Sequence, residues 1–273
     1  MPLTFIHITD THVGETPETL VNNYGAGRAL QAVLHHIAQN DGHGASFIAH
    51  TGDLARDSYH PAAYEGGKRI YGLKGDACAP GPLQVTAAGL NLDWYYIPGN
   101  SDHRPECLAR LFPRSPAVRL FNYAWEVRSI RFLSLDWGAW RMDNYLLVPD
   151  SFDWLREQLQ TRTPTVVLTH HPPVHVGVEM FDAMTPPDLH RLQDLIADSS
   201  VLAVFHGHTH YPWENRIGRV PVFGTGSVTY RRCLHQSGGE ESILEIHPPQ
   251  YRVVTIGDEG TVSAPVCEVP LAA

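Results

Sequence analysis

The sequence is poor in cysteine. Its 273 residues include only 4 cysteines, and no two of them form a C-x-x-C pair. This spacing fits neither a disulfide framework nor a zinc ribbon, and the first residues, MPLTFIHITD, lack the basic and apolar regions of a secretion signal. We therefore expect a cytoplasmic protein whose cysteines stay reduced.

Long apolar runs and an excess of positive charge are also missing. No stretch approaches the roughly 20 apolar residues that span a bilayer, so we expect a soluble protein with no membrane partner. The formal net charge of -9 disfavours nucleic-acid polymers as partners, because their binding draws on Lys and Arg side chains that displace counterions. Apolar residues in the last β-like runs could form a contact between two copies of the chain, so a homodimer is one alternative for its assembly.

The sequence does contain enough apolar residues for a substantial core. Hydrophobic residues make up 43% of the chain, and we expect a single domain spanning residues 1–273. Strand-like and helix-like segments alternate through the first two-thirds of the sequence, which is typical of a layered α/β fold.

Three segments have apolar residues at helical spacing. They are GAGRALQAVLHHIAQ; SFDWLREQLQ, with Asp150 or Ser151 as the N-cap; and PPDLHRLQDLIADS, with proline at its start. Two further regions are less regular. The glycine- and proline-rich stretch 66–89 predicts a surface loop insertion, and residues 211–260 predict a β-rich segment, an antiparallel set that completes a second sheet.

Seven polar residues follow strand-like runs and could bind metal. Strands that end side by side would bring these seven side chains together. They comprise two carboxylates, one amide and four imidazoles, located at Asp10, His12, Asp53, Asn100, His170, His208 and His210.

The donor set indicates the kind of metal and chemistry. Oxygen and nitrogen donors without a thiolate suit Zn, Mn, Fe or Co better than Ca. One carboxylate could bridge two ions, and two ions about 3.5–4 Å apart can activate a hydroxide between them for in-line attack on a phosphoryl group. The arrangement predicts phosphoester hydrolysis.

Five sequence blocks resemble the calcineurin-like metallophosphoesterases. The blocks occur in the family's order over roughly residues 3–230, and T-H-H-P-P together with Arg104 resembles the branch of bacterial cyclic-nucleotide and glycerophosphodiester phosphodiesterases. They are D-T-H from Asp10, G-D at Gly52, G-N-S-D from Gly99, T-H-H-P-P from Thr169 and G-H-T-H from Gly207.

The resemblance implies a fold and a ligand set. The fold is a four-layer α/β/β/α sandwich with two mixed β-sheets, forming one metallophosphoesterase domain. Two divalent or trivalent transition-metal ions (Mn, Fe or Zn) are implied, with Asp53 as the bridge. Asp10, His12, Asp53 and His210 would hold one ion, and Asp53, Asn100, His170 and His208 the other.

The sequence departs from the family at Ser101. Members usually carry histidine there, which is thought to contact the phosphate and protonate the leaving group, and a serine hydroxyl cannot replace imidazole as a proton source near neutral pH. His103 could serve as the catalytic acid, His171 could line the pocket, or a metal-bound water could supply the proton. We expect Asn100, Ser101 and His171 to contact the phosphate.

The sequence therefore predicts a hydrolase of small phosphodiesters, of the cyclic-nucleotide or glycerophosphodiester type, that uses a metal-bridging hydroxide. Diesters with acidic leaving groups should react well and alkyl monoesters poorly. The alternatives are a phosphomonoesterase or nucleotide pyrophosphatase on the same site, and a metal-binding module without catalysis.

Overall fold

The computed structural model describes residues 2–42, 44–56, 59–75, 82–102, 104–112, 120–138, 147–232 and 244–270. The helices are α1 Ala26–Asn40, α2 Pro61–Tyr71, α3 Pro105–Leu111, α4 Pro149–Gln158, α5 Glu179–Asp182 and α6 Leu189–Ala197, with short 3-10 turns at Ala87–Gly89 and Asn100–Asp102. The strands are β1 Leu3–Ile8, β2 Phe47–His50, β3 Leu83–Val85, β4 Leu92–Tyr96, β5 Tyr123–Val127, β6 Ile130–Leu135, β7 Thr165–Thr169, β8 Val201–His206, β9 Glu214–Ile217, β10 Val220–Gly224, β11 Arg231–Arg232, β12 Leu244–Glu245, β13 Gln250–Ile256, β14 Val262–Ser263 and β15 Val266–Glu268.

Two mixed sheets organise the described chain. The first has the order β14-β13-β1-β2-β4-β3, with β15 also paired to β13, and the second has the order β5-β6-β7-β8-β10-β9. Strands β1, β2 and β4 are mutually parallel in the first sheet, and β6, β7, β8 and β10 are parallel in the second. Each sheet therefore has a parallel centre flanked by antiparallel strands.

The sheets pack face to face through aromatic side chains. The ring of Phe5 on β1 meets those of Phe132 on β6 and Phe205 on β8, with centroids 5.6 and 5.5 Å apart. Because side chains alternate along a strand, the neighbours on β6 and β8, Leu133 and Val204, face the opposite side and join the core under α4 and α6. Helix α1 covers the outer face of the first sheet, which gives the expected α/β/β/α layering.

The three predicted helices are present, with altered ends. Leu30, Val33, Leu34 and Ile37 of α1 are all buried, as their spacing predicts. Helix α4 begins at Pro149 with Val148 as its N-cap, so the expected caps lie inside the first turn. Proline suits the first helical position because it has no N–H to leave unpaired. Helix α6 begins at Leu189, after the prolines rather than with them.

The prediction of a loop over 66–89 is wrong for much of that stretch. Its first residues complete α2, Leu83–Val85 pair with β4 as an edge strand, and residues 76–81 lie outside the described part. The helix requires glycine at Gly66, because a Cβ there would lie 2.3 Å from the carbonyl oxygen of Gly14. A close helix-to-loop contact therefore accounts for the glycine that had suggested a loop.

The described residues of 211–260 contain the strands β9–β13, but these do not form one antiparallel set in the second sheet. Strands β9 and β10 pair antiparallel at the edge of that sheet, as expected. Strand β10 is parallel to β8 and extends the second sheet, whereas β13 crosses to the first sheet and pairs antiparallel with β1. On β13, Tyr251 and Val254 are fully buried. By pairing with β1, strand β13 covers the edge of β1 that β2 leaves free. Among the described residues, no helix is long and apolar enough to cross a membrane.

Candidate metal centre

All seven predicted ligands lie at one edge of the sandwich. Asp10 and His12 follow β1, Asp53 follows β2, and Asn100 follows β4, three neighbouring strands of the first sheet. The remaining three, His170, His208 and His210, follow the adjacent strands β7 and β8 of the second sheet. Parallel strands end at the same edge, which is where ligands bind in open α/β sheets.

The backbone in these turns is strained. Five of the seven residues have positive φ angles, between 40° and 68°: Asp10, His12, Asp53, His208 and His210. For non-glycine residues such conformations cost about 1–3 kcal/mol each and persist where the surrounding structure fixes them, commonly at functional sites. Backbone hydrogen bonds between β1 and β2 continue into the turns that follow these strands; the Asp10 N–H, for example, donates to Gly52 O at 3.0 Å. These bonds hold the strained segments in place.

Asp10, His12 and His210 form the first group of donors. The Nε2 atoms of His12 and His210 are 3.2 Å apart and lie 3.8 and 3.4 Å from Asp10 Oδ1. Asp10 Oδ1 and His12 Nδ1 are buried, and neither has a hydrogen-bond partner among the residues that the structure describes. A buried carboxylate oxygen that faces two imidazole nitrogens and lacks a donor fits a cation site.

Asp53 lies between that group and a second one. Its Oδ2 is 3.5 Å from His12 Nε2, and its Oδ1 is 3.6 Å from His170 Nε2. Asn100 Oδ1 lies 3.0 Å from His170 Nε2 and 2.9 Å from His208 Nδ1. Donor atoms of Asp10, Asp53 and His170 all fall within 4.8 Å of one another, as do those of the first group.

The protonation states suit metal binding. Burial, reinforced by the neighbouring His210, lowers the pKa of His12 to about 3, so its imidazole is neutral. Burial acts to raise the pKa of Asp10, but the nearby His210, His170 and His12 outweigh it and hold that pKa well below its usual range. Burial raises the pKa of Asp53, and a bound cation would reverse this effect by favouring the carboxylate.

Backbone carbonyls orient two of the imidazoles. His170 Nδ1 lies 2.6 Å from Thr51 O, and His210 Nδ1 lies 2.6 Å from Tyr230 O. An N–H at Nδ1 directed to a carbonyl leaves Nε2 with its lone pair toward the cluster, the arrangement common in metal sites. The donor set, its protonation and its orientation therefore all fit transition-metal binding.

Comparison with known proteins agrees with this geometry. Residues 3–212, more than half of the chain, match the family model described as calcineurin-like phosphoesterase. The chain belongs to the calcineurin-like phosphoesterase family. The resemblance found in the motifs is confirmed, and the protein is a hydrolase of phosphoesters.

Named relatives of this phosphoesterase include diesterases. It is 26% identical over 236 residues to a cAMP/cGMP dual specificity phosphodiesterase of Mycobacterium tuberculosis, covering 86% of this chain and 70% of that protein. Over 121 residues it is 31% identical to the glycerophosphodiester phosphodiesterase GpdQ of Enterobacter lignolyticus, covering 42% and 44%. A dimetal phosphatase from Danio rerio shares the fold, with a TM-score of 0.59 at 12% identity over 98% of this chain and 99% of that one.

Ser101, the phosphoesterase's departure from the family motif, contacts Asp53. Its backbone N–H donates to Asp53 Oδ1 at 2.8 Å and its hydroxyl to Asp53 Oδ2 at 2.9 Å. The next residue, Asp102, is fully buried and accepts the Asp53 and Gly99 N–H groups at 2.6 and 2.8 Å. Tyr64 donates its hydroxyl to Asp102 at 2.5 Å. This block therefore fixes Asp53 through both its side chain and its backbone.

The third residue expected to contact the phosphate, His171, is buried. The imidazole of His171 is 3% exposed and packs against Trp137 and His208, with ring centroids 5.1 and 4.8 Å away. It is not among the residues that line the cleft beside the ligands. His103, the predicted catalytic acid, lies outside the described residues.

A cleft of about 230 Å³ opens beside the ligands. Ser101 and five of the ligand residues line it: His12, Asp53, Asn100, His208 and His210. Sequence reasoning missed the rest of the lining: Asn22, Arg56, Met180, Phe181, Met184 and Tyr230. The position of Arg56, three residues after Asp53, was the one available signal, because the same turn carries both residues into the site.

Proposed function

We propose that this phosphoesterase is a binuclear metal-dependent hydrolase of small phosphodiesters. The observation that carries the proposal is the position of Asp53, whose two carboxylate oxygens face His12 on one side and His170 on the other. A single carboxylate directed at two donor groups is the arrangement that a shared ligand of two ions requires. The diesterase names of its relatives support the substrate class.

Asp10, His12, Asp53 and His210 would hold one ion, and Asp53, Asn100, His170 and His208 the other. The side chains supply oxygen and neutral nitrogen donors, which suit Mn, Fe or Zn. When bound, such ions supply Lewis-acid stabilisation of the phosphoryl oxygens and a water nucleophile that is active near neutral pH.

The chain's own residues bind and orient the phosphate. The Asn100 amide and the Ser101 hydroxyl border the cleft, and Arg56 lines it with a guanidinium group, which is suited to phosphate oxygens. Ser101 also holds Asp53 in place. We infer that Arg56 contacts the substrate phosphate and that Ser101 acts chiefly by positioning Asp53.

Leaving-group protonation limits the substrates. Ser101 cannot act as an acid near neutral pH, and the buried His171 would have to move to reach the cleft. His103 remains the candidate acid. A weak or absent acid affects poor leaving groups most, so the enzyme should hydrolyse aryl diesters well and alkyl monoesters poorly.

The test compares an aryl diester with an alkyl monoester on protein loaded with Mn²⁺. We expect turnover of the diester, dependence on added metal, and at least about a hundredfold lower kcat/KM for the monoester, because general acid catalysis contributes about 10²–10⁴-fold. Replacing Asp53 by alanine should abolish turnover. His103→Ala should lower the alkyl rate more than the aryl rate if His103 is the acid.

Asp93→Ala is the matched control, because Asp93 is an exposed carboxylate on β4. It should leave both rates unchanged. Preference for the monoester would replace this proposal by the phosphomonoesterase alternative, and metal binding without turnover of any ester would favour a non-catalytic module.

A further inference from the structure

One wall of the cleft is apolar and comes from a single short segment. Met180 and Phe181 belong to α5, and Met184 follows two residues after its end. Met180 and Met184 are four residues apart, a spacing that places side chains on one side of a helical turn. Both are half-buried, whereas Phe181 is only 2% exposed. We call these three residues the apolar shelf.

The apolar shelf lies directly against the candidate metal centre. His208 directs Nδ1 toward Asn100, at 2.9 Å, and Nε2 toward the Sδ atom of Met184, at 3.3 Å. The Phe181 ring centroid is 5.9 Å from that of His208. A phosphate bound at the cluster would therefore place its ester group within reach of the shelf.

The segment that carries the shelf is closed by its own hydrogen bonds. The Asp182 carboxylate accepts the N–H groups of Val176 and Gly177 at 2.7 and 3.0 Å. Thr185 donates its hydroxyl to Asp182 O at 2.7 Å and lies 2.9 Å from His175 Nε2. The loop conformation is thus set before any ligand binds, which lowers the entropy lost on binding.

Outside the shelf and the ligand residues, the lining of the cleft consists of Asn22, Arg56, Ser101 and the ring-bearing Tyr230. Asn22 and Arg56 contribute an amide and a guanidinium group to the same cavity. The volume of about 230 Å³ is below the roughly 300–1,000 Å³ of pockets that enclose a drug-sized ligand. The cleft therefore accommodates the phosphate and one ester group, with the second ester group in solvent.

We infer that the apolar shelf determines substrate specificity by contacting a planar, apolar ester group. This inference rests on the proposed diesterase function and narrows it: the preferred substrates carry an aromatic ester group rather than glycerol. Methionine side chains adapt to flat surfaces and make favourable sulfur–aromatic contacts. A glycerol group would leave its hydroxyls facing the shelf without partners.

Binding of two non-hydrolysable phosphonates tests the shelf without requiring turnover. Calorimetry on the Mn²⁺-loaded protein should give a Kd for phenylphosphonate about tenfold lower than for methylphosphonate, within the range for stacking one aromatic ring. Met184→Ala should lower this ratio about threefold, and Met180→Ala/Met184→Ala should bring it close to one. The methylphosphonate Kd is the internal reference for each variant, because that ligand does not reach the shelf. Any effect on the metal site of losing the Met184 contact with His208 therefore cancels in the ratio.

Glu179→Ala is the control, because Glu179 is exposed on the same helix and does not line the cleft. It should preserve the ratio. Equal affinity for the two phosphonates in the native protein, no binding of either, or an unchanged ratio in the double variant would overturn the inference. Loss of the ratio in the double variant, in a protein that turns over no diester, would support the shelf and reject the hydrolase proposal.

Discussion

The ligand cluster and the apolar shelf border the same cleft but differ in side-chain burial and in backbone strain. Asp10, Asp53 and His210 are at most 4% exposed and have positive φ angles. Met180 and Met184 are half-buried on a segment with no strained residue of that kind. Metal binding needs donor atoms in fixed positions, and buried residues in strained backbone conformations are held in place by the structure around them. Contact with an ester group needs only apolar area, so flexible side chains suffice.

The two regions also differ in how much of the chain they require. The cluster joins turns as far apart as Asp10 and His210, and the two sheets must pack correctly before it exists. The shelf needs only the short segment 175–185, which is closed by hydrogen bonds of the Asp182 carboxylate to N–H groups of the same segment. Mutations that disturb sheet contacts should therefore damage the cluster and spare the local conformation of the shelf.

Among substitutions outside the ligand residues, Gly99→Ala should have the largest effect, and it disturbs the cluster alone. An added Cβ would lie 2.2 Å from Asp53 Oδ1 and 2.8 Å from the Asp53 backbone nitrogen. Asp53 must shift, and we expect kcat/KM to fall by about 10²–10³-fold, since metal stabilisation amounts to several kcal/mol. Metal content and diester kinetics measure this.

Gly44→Ala is the control, because no atom lies within 4 Å of the added Cβ, and it should behave like the native protein. Normal metal content in Gly99→Ala would contradict the expectation.

Asp102→Asn should have the next largest effect, through the backbone of Asp53. Both Asp102 carboxylate oxygens accept hydrogen bonds, one from the N–H groups of Asp53 and Gly99 and the other from the Tyr64 hydroxyl. An asparagine amide has only one oxygen, so its NH₂ group would replace an acceptor and face one of these donors. Residues that support metal ligands typically contribute 10–100-fold to metal affinity or activity, which sets the loss at roughly that size. Competition with a chelator measures metal affinity. Tyr64→Phe should lower it less, and an equal loss in Asp93→Asn would mean that the effect is not local.

Ser101→Ala distinguishes positioning from acid catalysis. The backbone N–H of residue 101 still donates to Asp53 Oδ1 in this variant, so we expect a loss of about threefold to tenfold, near the lower limit for a residue that orients a metal ligand. The factor should be the same for aryl and alkyl esters, because no proton transfer is lost. A clearly larger loss for alkyl esters would assign the leaving-group proton to Ser101.

The smallest effect should be the acid sensitivity of the metal-free protein. Burial lowers the pKa of His50 to about 3 and that of His247 to about 4. Each is neutral when folded and takes up a proton on unfolding below about pH 6.5, so the free energy of unfolding falls as pH decreases from that value toward the folded-state pKa. The slope is at most about 1.4 kcal/mol per pH unit for each histidine.

Denaturant unfolding between pH 7.5 and 5 measures this slope. His247→Gln should make it shallower by up to the contribution of one proton, and an unchanged slope would contradict the assignment to His247. Residues of the apolar shelf have no titratable group, so Met184→Ala should shift the curve without changing its slope.

Much of the fold and nearly all of the cluster could be predicted from the sequence. The apolar faces of α1 and α6 follow from helical spacing, and the ligands stand where apolar runs meet turns. The errors came from long-range contacts. Gly66 suggested a loop because its contact with Gly14 cannot be seen in a local pattern, and β13 was placed in the wrong sheet because pairing depends on which edge is free.

The sequence by itself determined the donor types, their order and their positions at strand ends, since side-chain chemistry and hydrophobic periodicity are local properties. Tertiary structure alone decided that Asp53 faces two donor groups, that Ser101 holds Asp53, that His171 is buried and that α5 supplies the wall of the cleft. These relations depend on how two sheets and their connecting loops pack. Contacts between distant segments set that packing, and no short pattern of residues encodes it.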